Sequence, residues 1–167
     1  MSDDDGFLFG IEEYTGANPK EEYQNLRRRI WTEHKAMLIQ RYLRNFVYVT
    51  KPGTYLNAFA GPQNPGQKNA WAAKAVLENE PKRMRHFKLF ELDPAKVEML
   101  NELKKEEENG EGRDIEVFAG DSNETLPLFL KENPIRPSEA TVCLLDQRTT
   151  ECDWATVSAV ANHKEAG

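Results

Sequence analysis

The sequence has few cysteines, no long apolar run and no excess of positive charge. Its 167 residues include two cysteines, Cys143 and Cys152, with no Cys-x-x-Cys pair and no histidine cluster. This argues against a disulfide framework and against a structural zinc site. No apolar stretch approaches the roughly 20 residues of a membrane-spanning helix, and no signal peptide is recognisable. We therefore expect a cytoplasmic location, no membrane span and no bound metal.

The net charge is −6, which argues against non-specific adhesion of the whole surface to nucleic acid or anionic membranes. The charge is unevenly distributed. Between Lys20 and Lys51 there are eight Lys or Arg and three Glu, whereas between Glu91 and Glu124 there are four Lys or Arg and twelve Asp or Glu. One interpretation is two solvated surfaces of opposite sign. The other is that a basic helix over 20–51 binds an anionic partner such as nucleic acid.

The length predicts a single domain with one sizeable core. Residues 1–19 have no sustained periodicity and are predicted to be a flexible N-terminal arm, so the domain is assigned to 20–167. Leu26 and Ile30 begin a stripe of apolar residues at helical spacing, which predicts a helix from about residue 19 to 46.

Four strand–helix pairs follow this helix. The apolar segments predicted as strands are 55–59, 86–92, 114–120 and 140–146, and the helices between and after them are 69–80, 93–109, 122–133 and 153–164. Asp93 and Asp153 are predicted N-caps, and Pro94 fits the first helical turn. Almost wholly apolar strands separated by helices indicate an α/β fold, a parallel sheet with helices on both faces. Ligands bind beyond the carboxyl ends of such strands.

The first two strand ends contain candidate cofactor-binding residues. After the first strand, "FAGPQNPG" places Gly61 at a turn where its backbone can approach a ligand or simply reverse the chain. The second strand ends in "FELDP", where Glu91 can accept hydrogen bonds from ribose hydroxyls. A helix cap is the alternative for Glu91, but Asp93 already suits that position, so Glu91 has no structural role apparent from the sequence.

The last two strand ends offer further polar side chains. In "AGDSNE", Asp121 can accept from an exocyclic amine and Ser122 adds a hydroxyl, although either could instead cap the next helix. In "LLDQRTTECDW", Asp146 closes an apolar strand and is the candidate catalytic residue, as a positioner of substrate or a weak base. Cys152 is either a nucleophile or a packed thiol, and no activating base lies near it in sequence.

Together these segments resemble an S-adenosylmethionine-dependent methyltransferase of the Rossmann-like kind, and more narrowly the three-Cys-motif partner protein family (TcmP). The resemblance spans residues 31–164. The matching segments are "HKAMLIQRYL" (34–43), "YLNAFAGP" (55–62), "FKLFELDPAKVEMLNEL" (87–103), "FAGDSNETLP" (118–127) and "LLDQRTTECDWATVSAVA" (144–161).

The resemblance implies S-adenosylmethionine as cofactor and a protein bearing a three-cysteine motif as partner. The residues that it places around the methionine part of the cofactor are Phe59, Ala60 and Gly61. It further implies that Glu91 holds the ribose, that Asp121, next to Ser122, holds the adenine amine, and that Asp146 faces the transferred methyl group.

The chain departs from the family pattern at three places. Asn57 and Gln63 stand where the family commonly has Asp and Gly, which removes one contact to the methionine amine and adds a side chain near the cofactor. Asp146 is followed by Gln147 rather than by two prolines and an aromatic residue, so the aromatic that would stack on a flipped base is missing.

A methyltransferase sheet has about seven strands, whereas four are found here. We therefore expect an incomplete Rossmann-like methyltransferase-type sheet, truncated at the C-terminus, whose fourth strand is an exposed edge through which the chain self-associates. Two functions follow from this pattern. The first is a methyltransferase of the three-Cys-motif partner type with an unknown substrate. The second is a non-catalytic interaction module that retains the fold and works with a partner protein.

Overall fold

The computed structural model describes residues 19–50, 53–63, 65–66, 71–108, 112–147 and 151–163. Within these residues, helices and strands alternate in the predicted order after a long first helix. They are α1 (Pro19–Val49), β1 (Thr54–Asn57), α2 (Ala72–Leu77), β2 (His86–Glu91), α3 (Pro94–Glu108), β3 (Asp114–Ala119), α4 (Ser122–Glu132), β4 (Thr141–Leu144) and α5 (Trp154–Asn162).

The strands form one parallel sheet in the order β3-β2-β1-β4. In the centre, Tyr55 of β1 lies opposite Phe87 of β2 and Val142 of β4. The chain passes outward from β1 through β2 to β3 and then returns to place β4 on the other side of β1. This reversal creates a topological switch point between β1 and β4, beyond whose carboxyl ends ligands bind in open α/β sheets.

Alternate residues of each strand enter two separate cores, as expected for a period of two. Tyr55 and Phe87 pack with residues of α1, α2 and α3 on one face. Leu56 and Phe90 pack with residues of α4 and α5 on the other face. Burying each such side chain stabilises the fold by about 1.5–3 kcal/mol. The predicted α/β class, a Rossmann-like parallel sheet with helices on both faces, is therefore confirmed.

Several predicted boundaries differ from those of the structure. Strand β1 ends at Asn57 rather than at Phe59, because the side-chain Oδ1 of Asn57 accepts a hydrogen bond from the Phe59 N–H at 3.2 Å and bends the chain. Helix α2 ends at Leu77 rather than at residue 80, while residues 69 and 70 of the predicted helix lie outside the described part. Strand β4 ends at Leu144, so Asp146 lies two residues beyond the strand that it was predicted to close. The predicted cap of α3 is confirmed, since Asp93 Oδ1 accepts from the Ala95 N–H at 2.9 Å.

Several sequence-based predictions fall partly or wholly outside the described residues. The predicted arm lies there except for Pro19, and the predicted helices over 69–80, 93–109 and 153–164 each extend into the undescribed residues by one or two positions. Among the described strands, β4 is an edge of the sheet, as expected, while self-association through it stays a prediction. No helix in the described part of the chain combines the length and apolar character needed to cross a membrane.

Candidate functional site

A cleft of about 640 Å³ opens at the carboxyl edge of the sheet. The loops that follow all four strands contribute to it. Its lining residues are Ala58, Phe59, Gly61, Gln63, Glu91, Leu92, Asp93, Pro94, Lys96, Asp121, Ser122, Asn123, Asp146 and Glu151. Its volume lies in the range of small-molecule binding sites, roughly 300–1,000 Å³.

Glu91 joins the first two loops of the cleft. Its Oε2 accepts from the Gly61 N–H at 2.8 Å, and its Oε1 accepts from the Asp93 N–H at 3.0 Å. The side chain is 8% exposed. The expectation that Glu91 lacks a structural role is therefore wrong, because its carboxylate bridges two loop backbones.

The same bridge explains the glycine in the first loop. A Cβ at position 61 would lie 2.1 Å from Glu91 Oε2 and 2.6 Å from Lys96 Cδ, far inside contact distance. The Glu91 carboxylate approaches the backbone of residue 61 so closely that only glycine fits. This explanation of Gly61 does not depend on a bound ligand.

Asp121 and Ser122 start helix α4 beside the cleft. Asp121 is its N-cap, with Oδ1 accepting from the Asn123 N–H at 2.9 Å. Ser122 is 3% exposed, and its hydroxyl donates to the Ala58 carbonyl of the first loop. Gly120, at φ 138°, makes the turn from β3. Of the two candidates for the cap in this segment, Asp121 is the one that caps α4, and Asp121 also lines the cleft.

Asp146 forms an ion pair with Lys35 of α1. The two side chains also line a smaller cavity, of about 20 Å³, which shares Phe59, Gly61, Gln63 and Asp146 with the cleft. No role was predicted for Lys35, because it lies on a helix that precedes the whole strand–helix pattern. Position within the matching segment "HKAMLIQRYL" was the only signal that could have found it.

Asn57 is turned inward rather than toward the cleft. It is 1% exposed, and its Nδ2 donates to the Tyr55 hydroxyl at 3.2 Å while its Oδ1 accepts from Phe59. Burial, with Cys143 and Asp146 nearby, raises the pKa of Tyr55 well above its ordinary value, so Tyr55 stays neutral. The amide at position 57 therefore stabilises the first loop.

Asn123 is a lining residue of the cleft for which no role was predicted. Its Nδ2 donates to the Glu151 carbonyl at 2.7 Å, and its Oδ1 accepts from the Asp153 N–H at 2.8 Å and the Thr156 hydroxyl at 2.9 Å. Asp153 occupies the N-cap position of α5 as predicted, but its side chain makes no capping hydrogen bond. Asn123 of the neighbouring helix satisfies that end of α5 instead.

Cys152 lies beside the site without lining the cleft. Burial and the neighbouring Asp153 raise the pKa of its thiol, which disfavours the thiolate that a nucleophile requires. Its backbone N–H donates to Gln147 Oε1 at 2.5 Å. The raised pKa argues against the nucleophile, while the thiol is half-buried and belongs to neither core.

The structure brings six of the seven candidate site residues together along one cleft: Phe59, Gly61, Glu91, Asp121, Ser122 and Asp146. Ala60 is the exception. It is 4% exposed, belongs to the core on the α1 side of the sheet, and borders the smaller cavity.

The cleft is strongly acidic. Five of its described lining residues are carboxylates (Glu91, Asp93, Asp121, Asp146 and Glu151), and Lys96 is the one cation among them. No group of three or more His, Cys, Asp or Glu side chains within the described ranges is arranged to hold a metal ion. Comparison with protein-family models, with curated proteins and with solved structures found no match to the chain.

Proposed function

We propose that the cleft binds S-adenosylmethionine and that the chain is a methyltransferase-like protein of the three-Cys-motif partner type, with an unknown methyl acceptor. One observation carries this proposal: Gly61, Glu91, Asp121 and Asp146 line a single cleft beyond the switch point of a Rossmann-like sheet. That is the location at which open α/β sheets bind nucleosides and nucleotides.

The hydrogen-bonding capacity of two carboxylates suits a nucleoside. Each carboxylate oxygen has two lone pairs, and the backbone takes one on each oxygen of Glu91, so each can still accept from a ribose hydroxyl. Asp121 caps α4 through Oδ1, and its Oδ2 can accept from the adenine amine. Both side chains can therefore serve the fold and a ligand together.

The charge of the cleft favours a cationic ligand over a phosphorylated one. Phosphates placed among five carboxylates and one lysine would be repelled, and this repulsion is strengthened where water is partly excluded. The chain also lacks the G-x-G-x-x-G and Gly-Lys-Ser/Thr phosphate-binding sequences. S-adenosylmethionine has the nucleoside without a phosphate and carries a positive sulfonium.

When bound, S-adenosylmethionine supplies a methyl group that is transferable by in-line displacement. The chain's own contribution is then mainly orientation of the two reactants. Asp146, two residues beyond β4 and lining the cleft, can accept a hydrogen bond from an acceptor group and hold it in place.

Isothermal titration calorimetry tests the proposal with S-adenosylmethionine, S-adenosylhomocysteine and ATP. We expect heat with the first two and none with ATP, and loss of binding in Glu91→Ala. Asp121→Asn is the sharper variant, because Asn keeps the capping oxygen but replaces the other oxygen by an NH₂ donor. This variant should bind the adenosyl ligands more weakly and favour the inosyl analogue, which has a carbonyl in place of the adenine amine. The ratio of the two affinities should change by about tenfold, which corresponds to about 1.4 kcal/mol.

Asp153→Asn is the matched control, since Asp153 is also an N-cap aspartate but neither lines the cleft nor caps with its side chain. The absence of heat with both sulfur-containing ligands would reject the proposal.

That result would leave the second candidate, a non-catalytic module that works with a partner protein. The observation favouring it is Asn57, whose amide is engaged inside the protein, so that β1 presents no acid to a ligand. Helix α1 also exposes apolar side chains at spacings of four and seven residues: Leu38, Tyr42 and Val49. A purified partner with a three-cysteine motif, tested by size-exclusion chromatography, should then form a complex that Tyr42→Glu weakens.

A separate hypothesis is that the basic helix binds nucleic acid. Arg41 and Arg44 of α1 are exposed. Binding through such side chains should fall steeply with salt, and a flat salt response in a fluorescence anisotropy titration would remove the hypothesis.

A further inference from the structure

Lys35 stands at the junction between the acidic cleft and the smaller cavity. It reaches there from α1 and contacts Asp146, with the two side chains 31% and 13% exposed. The smaller cavity has about 20 Å³, which is room for one water-sized atom or group. A cation is therefore placed beside a cleft whose described lining includes five carboxylates and one other cation, Lys96.

The strand order determines where a nucleoside ligand would present its remaining part. Along the edge of the sheet, Asp121 follows β3, Glu91 is the last residue of β2, Gly61 follows β1 and Asp146 follows β4. Neighbouring strands lie about 4.8 Å apart, so these four positions span roughly 14 Å. With adenine at β3 and ribose at β2, the third part of an extended ligand lies over β1 and β4, next to Lys35.

We propose that Lys35 is a specificity-determining residue that binds the carboxylate of the ligand's amino-acid end. This inference rests on the proposed function and adds a residue that the family resemblance did not assign. An ammonium group donates three hydrogen bonds, so Lys35 can serve Asp146 and a ligand carboxylate at once. Hydrogen bonds between two charged groups are the stronger kind, and partial burial limits their screening by water.

Two ligands that differ only in this group provide the test. S-adenosylhomocysteine and 5′-methylthioadenosine share adenine, ribose and a thioether sulfur, but only the first carries an ammonium and a carboxylate. Calorimetry on Lys35→Met should give about tenfold weaker binding of S-adenosylhomocysteine and unchanged binding of 5′-methylthioadenosine. Lys74→Met is the control, because Lys74 of α2 is also in an ion pair, with Glu78 just after the helix, and does not line the cleft.

Removal of Lys35 leaves Asp146 without its ion-pair partner, so a second variant, Lys35→Met with Asp146→Asn, keeps the test interpretable should the first fail to fold. It should show the same selective loss. Three outcomes would overturn the role of Lys35 while leaving the proposed function standing. They are an equal loss of affinity for both ligands, undiminished binding of S-adenosylhomocysteine, and a larger selective loss of affinity in Lys96→Met. Failure of the wild type to bind either ligand would overturn both.

Discussion

Replacing Gly61 by alanine tests whether the Glu91 bridge organises the cleft. The added Cβ would lie 2.1 Å from Oε2 and 2.6 Å from Cδ of Glu91, so the carboxylate must move. The backbone itself accepts alanine, since Gly61 does not have the left-handed φ that penalises other residues. The cost of the substitution therefore reports the displacement of Glu91.

The magnitude follows from the hydrogen bonds that the displacement breaks. A carboxylate moved by the Cβ loses its 2.8 Å bond from the Gly61 N–H, and a hydrogen bond to a charged group contributes about 1.5–3 kcal/mol. Gly61→Ala should destabilise the wild type by that amount. In a Glu91→Ala background the obstructing carboxylate is gone, and the remaining close atom, Lys96 Cδ, belongs to a flexible side chain. There the same substitution should cost less than about 0.5 kcal/mol.

The assay is a double-mutant cycle of four proteins, each unfolded in urea and followed by circular dichroism. We expect a coupling free energy of at least about 1 kcal/mol between positions 61 and 91. An equal cost of Gly61→Ala in both backgrounds would refute the explanation given for this glycine.

Two further predictions concern stability. Asn123→Ala should lower the free energy of unfolding by about 2 kcal/mol, because it removes three hydrogen bonds between α4 and the start of α5; hydrogen exchange should then accelerate selectively in α5, and unchanged exchange there would contradict this. Burial alone would raise the pKa of Asp114, but hydrogen bonds from Lys88 and His86 outweigh it and hold that pKa below the ordinary 3.8. A carboxylate whose pKa is lower in the folded state than in the unfolded state stabilises the fold at pH values above its unfolded-state pKa. That stabilisation is lost as the pH falls through its folded-state pKa. In urea unfolding, the free energy of unfolding of the wild type should therefore exceed that of Asp114→Asn at pH 7 and match it near about pH 2. A difference that persists in acid would contradict the assigned ion pairs.

The order and type of the elements could be predicted because they depend on local pattern. Apolar strands between helices, with Asp93 before Pro94, fixed both the α/β class and the start of α3. The end of β1 could not be predicted in the same way, since apolar periodicity continues through Ala58 and Phe59. It depends on one side-chain hydrogen bond from Asn57 to the backbone, which competes with the strand.

The site was predictable as a set of loops and not as a set of contacts. Parallel topology brings the residues after each strand to one edge, which is why Glu91, Asp121 and Asp146 meet at one cleft. The roles of individual side chains depend on residues distant in sequence. Glu91 holds Gly61, and Lys35 of the first helix pairs with Asp146. No local pattern encodes such pairs.

Chemical-shift mapping by NMR tests the central claim most directly. On addition of S-adenosylhomocysteine to ¹⁵N-labelled protein, we expect the amides of Gly61, Asp93 and Asn123 to shift together with one affinity, while those of Asp114 and Glu116, on β3 away from the cleft, stay unchanged. Saturable shifts confined to that other part of the sheet, or none at all, would contradict a shared nucleoside site.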